Sequence, residues 1–230
     1  PLQGKHPFLH GIHQPIEKEL TFEELEWSGS IPPELDGLYV RNGPNPIGSP
    51  EESTYHWFLG DGMVHGLKLK NGRPQWYKNR WVRSTSVSRK LGEEPVPGPR
   101  NSLVDTVNTN VIGFAGKLWA LVEAGGYPVE LDGDLNTVAH NPFNGTLKGS
   151  FTAHPHRDPA SGNLHGICYS ENKRNLVTHV TVAEDGAVVK EIDIPVKDGP
   201  SIHDCAITEN YVLIFDLPVT FSKNKFLSGY

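Results

Sequence analysis

Thr152-Ala153-His154-Pro155-His156 and Ser201-Ile202-His203-Asp204-Cys205 are the two stretches whose reading decides the fold. Each places a histidine at the start of a run that reads as a β-strand, and His154 and His203 stand 49 residues apart. One four-stranded blade of a β-propeller takes roughly 40–50 residues. Equivalent positions on consecutive blades would therefore converge at one end of a central axis. Neutral imidazoles meeting there form a metal site, and an all-imidazole site suits iron, zinc, copper or nickel.

Outward from these stretches the pattern is strand, turn, strand. Met63–Lys70 alternates apolar and polar residues, Asn71-Gly72 is a hairpin signal, and Gln75–Val82 is rich in aromatics. Further strands are predicted over Val107–Phe114, Lys117–Val122, Tyr127–Leu131, Leu164–Ser170, Asn175–Val182 and Ala187–Ile194, with a last pair around Thr208-Glu209-Asn210. Asp185-Gly186 supplies positive φ at little steric cost. Helical periodicity is nearly absent, with one short helix expected within Pro15–Glu26. Ser84–Asn101 reads as a long surface loop, and the first 46 residues as an extended arm with blades from about residue 55. Many short strands at this spacing point to a sandwich, barrel or propeller, and the spacing of the two histidines favours the propeller.

The bulk composition narrows the class. In 230 residues, 24 Gly and 19 Pro without a collagen-like period fit short strands joined by tight turns. A net charge of −6 argues against a nucleic-acid partner, which would need a basic face. No 18-residue apolar run is present, and Pro1–His13 lacks the apolar segment of a signal peptide. Cys168 and Cys205 read as free buried thiols of a reducing compartment, so the expectation is a cytoplasmic protein.

Several ordered motifs resemble those of the carotenoid cleavage oxygenases. They are Leu38-Tyr39-Val40-Arg41-Asn42-Gly43-Pro44-Asn45-Pro46, Trp57-Phe58-Leu59-Gly60-Asp61-Gly62-Met63-Val64-His65, Asn79-Arg80-Trp81-Val82-Arg83 and Leu118-Trp119-Ala120-Leu121-Val122-Glu123. Thr152–Pro155 and Ile202–Tyr211 complete the series, so the likeness spans nearly the whole chain. The resemblance implies an all-β, seven-bladed propeller with Fe2+ on its axis, held by four histidines. This chain would be the N-terminal part of that single domain: the arm and roughly the first three blades. His154 and His203 match the first two ligands, and the other two are expected beyond Tyr230. Glu123 matches a carboxylate that holds a ligand imidazole, here His203, fixing its tautomer.

The activity implied is oxidative cleavage, by O₂, of a conjugated double bond in a carotenoid or apocarotenoid held in an apolar tunnel, giving two carbonyl products. Family members that cleave stilbenes carry a lysine where this chain has Val122, and their tyrosine expected near Ser88 is also missing. That favours a polyene over a phenolic stilbene. Other readings are a stilbene-cleaving dioxygenase, an isomerase of the same family, an incomplete propeller that binds a polyene without catalysis, and a zinc hydrolase built on His154, His156 and His203. His65 and His165 read as packed or surface histidines, and Arg41 and Asp61 as turn supports. Asp204 points away from its neighbour His203 on an extended chain and is not assigned to the site. Phe221, Phe226 and Leu227, interleaved with Lys223 and Lys225, either dip into a membrane interface or pack beneath a following blade.

Overall fold

Alternation of apolar and polar residues, punctuated by residues that tolerate positive φ, folds the chain into successive antiparallel sheets. The structure is a computed structural model that describes residues 6–102, 104–123, 125–170, 173, 175–197 and 201–220. The first sheet contains β1 (Leu20–Phe22), β2 (Gly37–Pro44), β3 (Gly62–Lys70) and β4 (Arg73–Trp81), in the spatial order β1-β4-β3-β2. The second is a meander of β5 (Asn110–Phe114), β6 (Lys117–Leu121), β7 (Val129–Leu131) and β8 (Thr137–His140). The third repeats that order with β9 (His156–Arg157), β10 (Leu164–Tyr169), β11 (Leu176–Val182) and β12 (Val188–Pro195). A two-stranded ribbon follows, β13 (Cys205–Ile207) and β14 (Val212–Ile214).

Turn chemistry fixes the registers. Asn71 and Gly72 have φ of 50° and 68°, the geometry of a two-residue hairpin, and Lys70 pairs directly with Arg73. At the start of β3 a glycine is obligatory for a different reason. A Cβ on Gly62 would lie 1.9 Å from the Val107 carbonyl oxygen, so the backbone at the start of β3 touches the segment that leads into β5.

Alternate residues of each strand face opposite neighbours. Ala120 joins Val64, Val107, Val111 and Leu135 between the first and second sheets. On the other face of β6, Trp119 and Leu121 join Phe143, Phe151, Leu164 and Val180 between the second and third. Phe143 sits between two rings, 4.8 Å from Trp119 and 4.9 Å from Phe151. The third sheet meets the ribbon through Ile167, Val177, Ile202 and Cys205. Asparagine amides also stitch sheet to sheet. Asn42 Nδ2 donates to the carbonyls of Val107 and Asn110 (3.2 and 3.1 Å), and Asn110 Nδ2 donates to the Ala153 carbonyl at 2.8 Å.

Two expectations need correction. The segment expected to be helical carries strand β1, because the edge of β4 captures it: Leu20 N donates to Asn79 Oδ1, and Arg80 donates to the Leu20 carbonyl at 2.8 Å. Within the stretch read as an extended arm, Leu20–Phe22 and Gly37–Pro44 lie along the first sheet as β1 and β2. Within Ser84–Asn101 lies a helix, α1 (Thr85–Leu91), capped by Ser84 Oγ and closed by Gly92 at φ 69°. Its Val87 packs against Met63 and Trp81, so tertiary burial holds a helix too short to announce itself by periodicity.

Candidate metal centre

Two strand starts and one strand end build the site. His154 precedes β9, and Pro155 restricts it to extended backbone. Its backbone is held on both sides: His154 N donates to Thr152 Oγ1 at 3.1 Å, and the carbonyl of the preceding Ala153 accepts from Asn110. His203 precedes β13, anchored by buried Ile202 beneath it. Glu123 follows the end of β6, where the chain leaves the sheet.

These three side chains come together, each offering a ligand atom within 4.8 Å of the others. The His154 and His203 rings have centroids 4.3 Å apart and planes inclined at 53°. His203 Nδ1–H donates to Glu123 Oε2, which leaves Nε2 as the lone-pair nitrogen. His154 Nε2 is buried and has no hydrogen-bond partner among the described residues. Burial, and then the neighbouring His203, push the His154 imidazole below its ordinary pKa, so the ring is neutral at pH 7. A neutral imidazole with a buried, unpartnered ring nitrogen beside a second oriented imidazole is the donor arrangement a transition metal fits.

Glu123 has a second partner that the sequence did not reveal. The Tyr169 hydroxyl donates to Glu123 Oε1 and lies 3.2 Å from Ser201 Oγ. Burial, and then the Glu123 carboxylate, raise the Tyr169 phenol above its ordinary pKa, so it remains a donor. Tyr169 shares a face of β10 with Ile167, which packs toward the ribbon. That strand period was the only signal in the sequence that could have found it.

The remaining candidates fall elsewhere. His156 Nε2 bonds Asp204 Oδ1 at 2.7 Å, which clusters with Cys205 and not with the His154–His203 pair. The three-histidine zinc arrangement is therefore not assembled. Burial lifts the Cys205 thiol to about 11, so without a bound cation it is a neutral thiol. His65 bonds the Tyr77 hydroxyl at 2.7 Å, and His165 shares a hydrogen bond of 3.1 Å with His179. Asp61 accepts from Ile47 N and Lys90 Nζ, a turn support as expected. Val122 packs against the core between the first and second sheets, and Ser88 is buried in α1. Phe221, Phe226 and Leu227 lie outside the described residues. Among the described residues, no helix is long and apolar enough to cross a membrane.

Residues 13–230 match the family described as retinal pigment epithelial membrane protein. Over 223 residues the chain is 45% identical to a carotenoid cleavage oxygenase of Mycobacterium tuberculosis, covering 95% of this chain and 44% of that protein. A solved lignostilbene dioxygenase of Pseudomonas brassicacearum superposes with a TM-score of 0.83 at 30% identity, over 97% of this chain and 49% of that one. A cobalt-substituted apocarotenoid oxygenase of Synechocystis superposes with a TM-score of 0.74 at 25% identity, over 94% of this chain and 50% of that one. The chain thus spans about half the length of the relatives it matches.

Proposed function

The chain belongs to the carotenoid cleavage oxygenase family, and on that footing we propose that the complete protein is an iron(II)-dependent dioxygenase acting on a carotenoid or apocarotenoid. It would cleave one conjugated C=C bond to two carbonyl products. The observation that carries this reading is the buried, unpartnered His154 Nε2 beside His203, whose other nitrogen is held by Glu123. The three sheets and the ribbon are then consecutive blades of one seven-bladed propeller. Two further imidazole ligands come from the part of the protein outside this chain.

His154 and His203 would hold iron(II) through Nε2. The metal, when bound, supplies the activation of dioxygen that no side chain here provides. Glu123 keeps the His203 proton on Nδ1, and the Asn110–Ala153 bond and Pro155 keep His154 aimed without a reorganisation cost during turnover. The apolar Val122 beside Glu123 leaves no cationic handle for a phenol, which favours a polyene. The free, buried Cys168 and Cys205 support a reducing, cytoplasmic location, with a peripheral membrane contact serving the water-insoluble substrate.

A second reading is stilbene cleavage, favoured by the TM-score of 0.83 to the lignostilbene enzyme. Elemental analysis and oxygen uptake on the full-length protein decide. One iron per chain is expected, lost in His154→Ala and in His203→Ala, with faster turnover of an apocarotenal than of resveratrol. Full iron content in either variant would overturn that ligand assignment, and faster resveratrol cleavage would reverse the substrate ranking.

A further inference from the structure

Glu123 leaves β6 and enters a bend, so its backbone does little to fix its carboxylate. The terminal torsion of a glutamate is broad and roughly two-fold, so a single hydrogen bond would leave the carboxylate plane free to swing. Two bonds from different elements remove that freedom. His203 Nδ1 donates to one oxygen and Tyr169 Oη donates to the other. Because the Tyr169 proton is committed to Glu123, its oxygen accepts from Ser201 Oγ, two residues before His203 on the same segment. The contacts close a ring: Tyr169 to Glu123, Glu123 to His203, along the chain to Ser201, and back to Tyr169. Tyr169 itself stands on β10, paired with Val177 and packed beside Ile167.

We infer that Tyr169 is a positioning residue of the metal centre: it locks the plane of the Glu123 carboxylate and, through it, the ring of His203. The inference rests on reading Glu123, His154 and His203 as one metal site. It goes further by naming the group that orients the site from outside. A residue that merely fills the core between the third sheet and the ribbon would act through its ring. A positioning residue acts through its hydroxyl, and only while Glu123 is present.

Cobalt titration of the metal-stripped full-length protein, read by visible absorption, separates these roles. Tyr169→Phe keeps the ring and is expected to weaken cobalt binding by about 10-fold, the lower end for an outer partner of a metal ligand, with an altered absorption envelope. In a Glu123→Ala background the same change is expected to add less than about 2-fold, because contributions routed through one shared partner do not add. Tyr169→Phe binding cobalt like the wild type, or multiplying fully with Glu123→Ala, would overturn the inference. Cobalt binding that is identical in wild type and His203→Ala would instead sink the metal-site reading beneath it. Should Tyr169→Phe fail to fold, Ser201→Ala carries the test, with about 3-fold weaker binding expected from loss of one neutral hydrogen bond and unchanged binding counting against.

Discussion

A carboxylate that serves two donors at once is exacting about its replacement. Glu123 accepts from His203 with one oxygen and from Tyr169 with the other. Glutamine keeps one accepting oxygen and turns the second position into a donor, so it can no longer accept from both partners. Alanine satisfies neither. On the proposed iron(II) reading, Glu123→Ala in the full-length protein is expected to lower iron affinity or turnover by about 10–100-fold, with Glu123→Gln between it and wild type. Iron content and rate measured on both variants check this; a Glu123→Ala protein with normal values would remove Glu123 from the site. At this scale the sequence was informative wherever a residue of the cluster sits inside a contiguous motif. That His154, His203 and Glu123 come together was foreseen because neighbours such as Pro155 and Asp204 mark their motifs. The part of Tyr169 was not, since it meets Glu123 across 46 residues of sequence and its own surroundings read as ordinary strand.

Among the elements, strands bounded by turn residues were legible and those set by tertiary capture were not. The Asn71-Gly72 and Asp185-Gly186 turns located β3, β4, β11 and β12. By contrast β1 exists because Asn79 and Arg80 of β4 hold its backbone, and α1 exists because Asp105 holds its first turn. Asp105 Oδ2 accepts from Thr85 N at 2.8 Å, from Thr85 Oγ1 at 2.7 Å and from Arg100 Nε at 2.9 Å. Burial alone would raise this carboxyl, but the Thr85 hydrogen bonds and the nearby His140 and Arg100 outweigh it and hold the pKa below its ordinary value. A carboxylate with a depressed folded pKa stabilises the protein above its unfolded pKa, and that contribution drains away as pH falls through the folded value. Asp105→Asn is therefore expected to cost about 1–3 kcal/mol at pH 7, the usual penalty for unsatisfying buried partners. Below about pH 4 the gap between variant and wild type should narrow. Urea unfolding at pH 7 and pH 3 checks both halves; an undiminished gap at pH 3 would count against an ionised Asp105.

For the molecule as a whole, each apolar interface between sheets holds a different set of residues, and two of them hold one cysteine each. Cys168 is buried between the second and third sheets, and Cys205 between the third sheet and the ribbon. Burial raises both thiols, Cys205 to about 11 and Cys168 higher still. Since only a thiolate attacks a disulfide reagent, neither reacts while its interface stays shut. Each sulfur is thus a clock started by the parting of one particular pair of sheets. Cys205 is the first residue of its strand in a two-stranded ribbon, next to exposed His203 and Asp204, whereas Cys168 lies within β10 of a four-stranded sheet, paired with Thr178 of β11. Strand ends open at lower free energy than strand interiors. In mild urea the full-length protein should lose its Cys205 thiol to Ellman's reagent before Cys168, resolved with Cys168→Ser and Cys205→Ser variants. Simultaneous labelling would mean that the sheets part together, and the reverse order that the second and third sheets are the weaker joint. The chain would then carry, with no added probe, its own record of the sequence in which it comes apart.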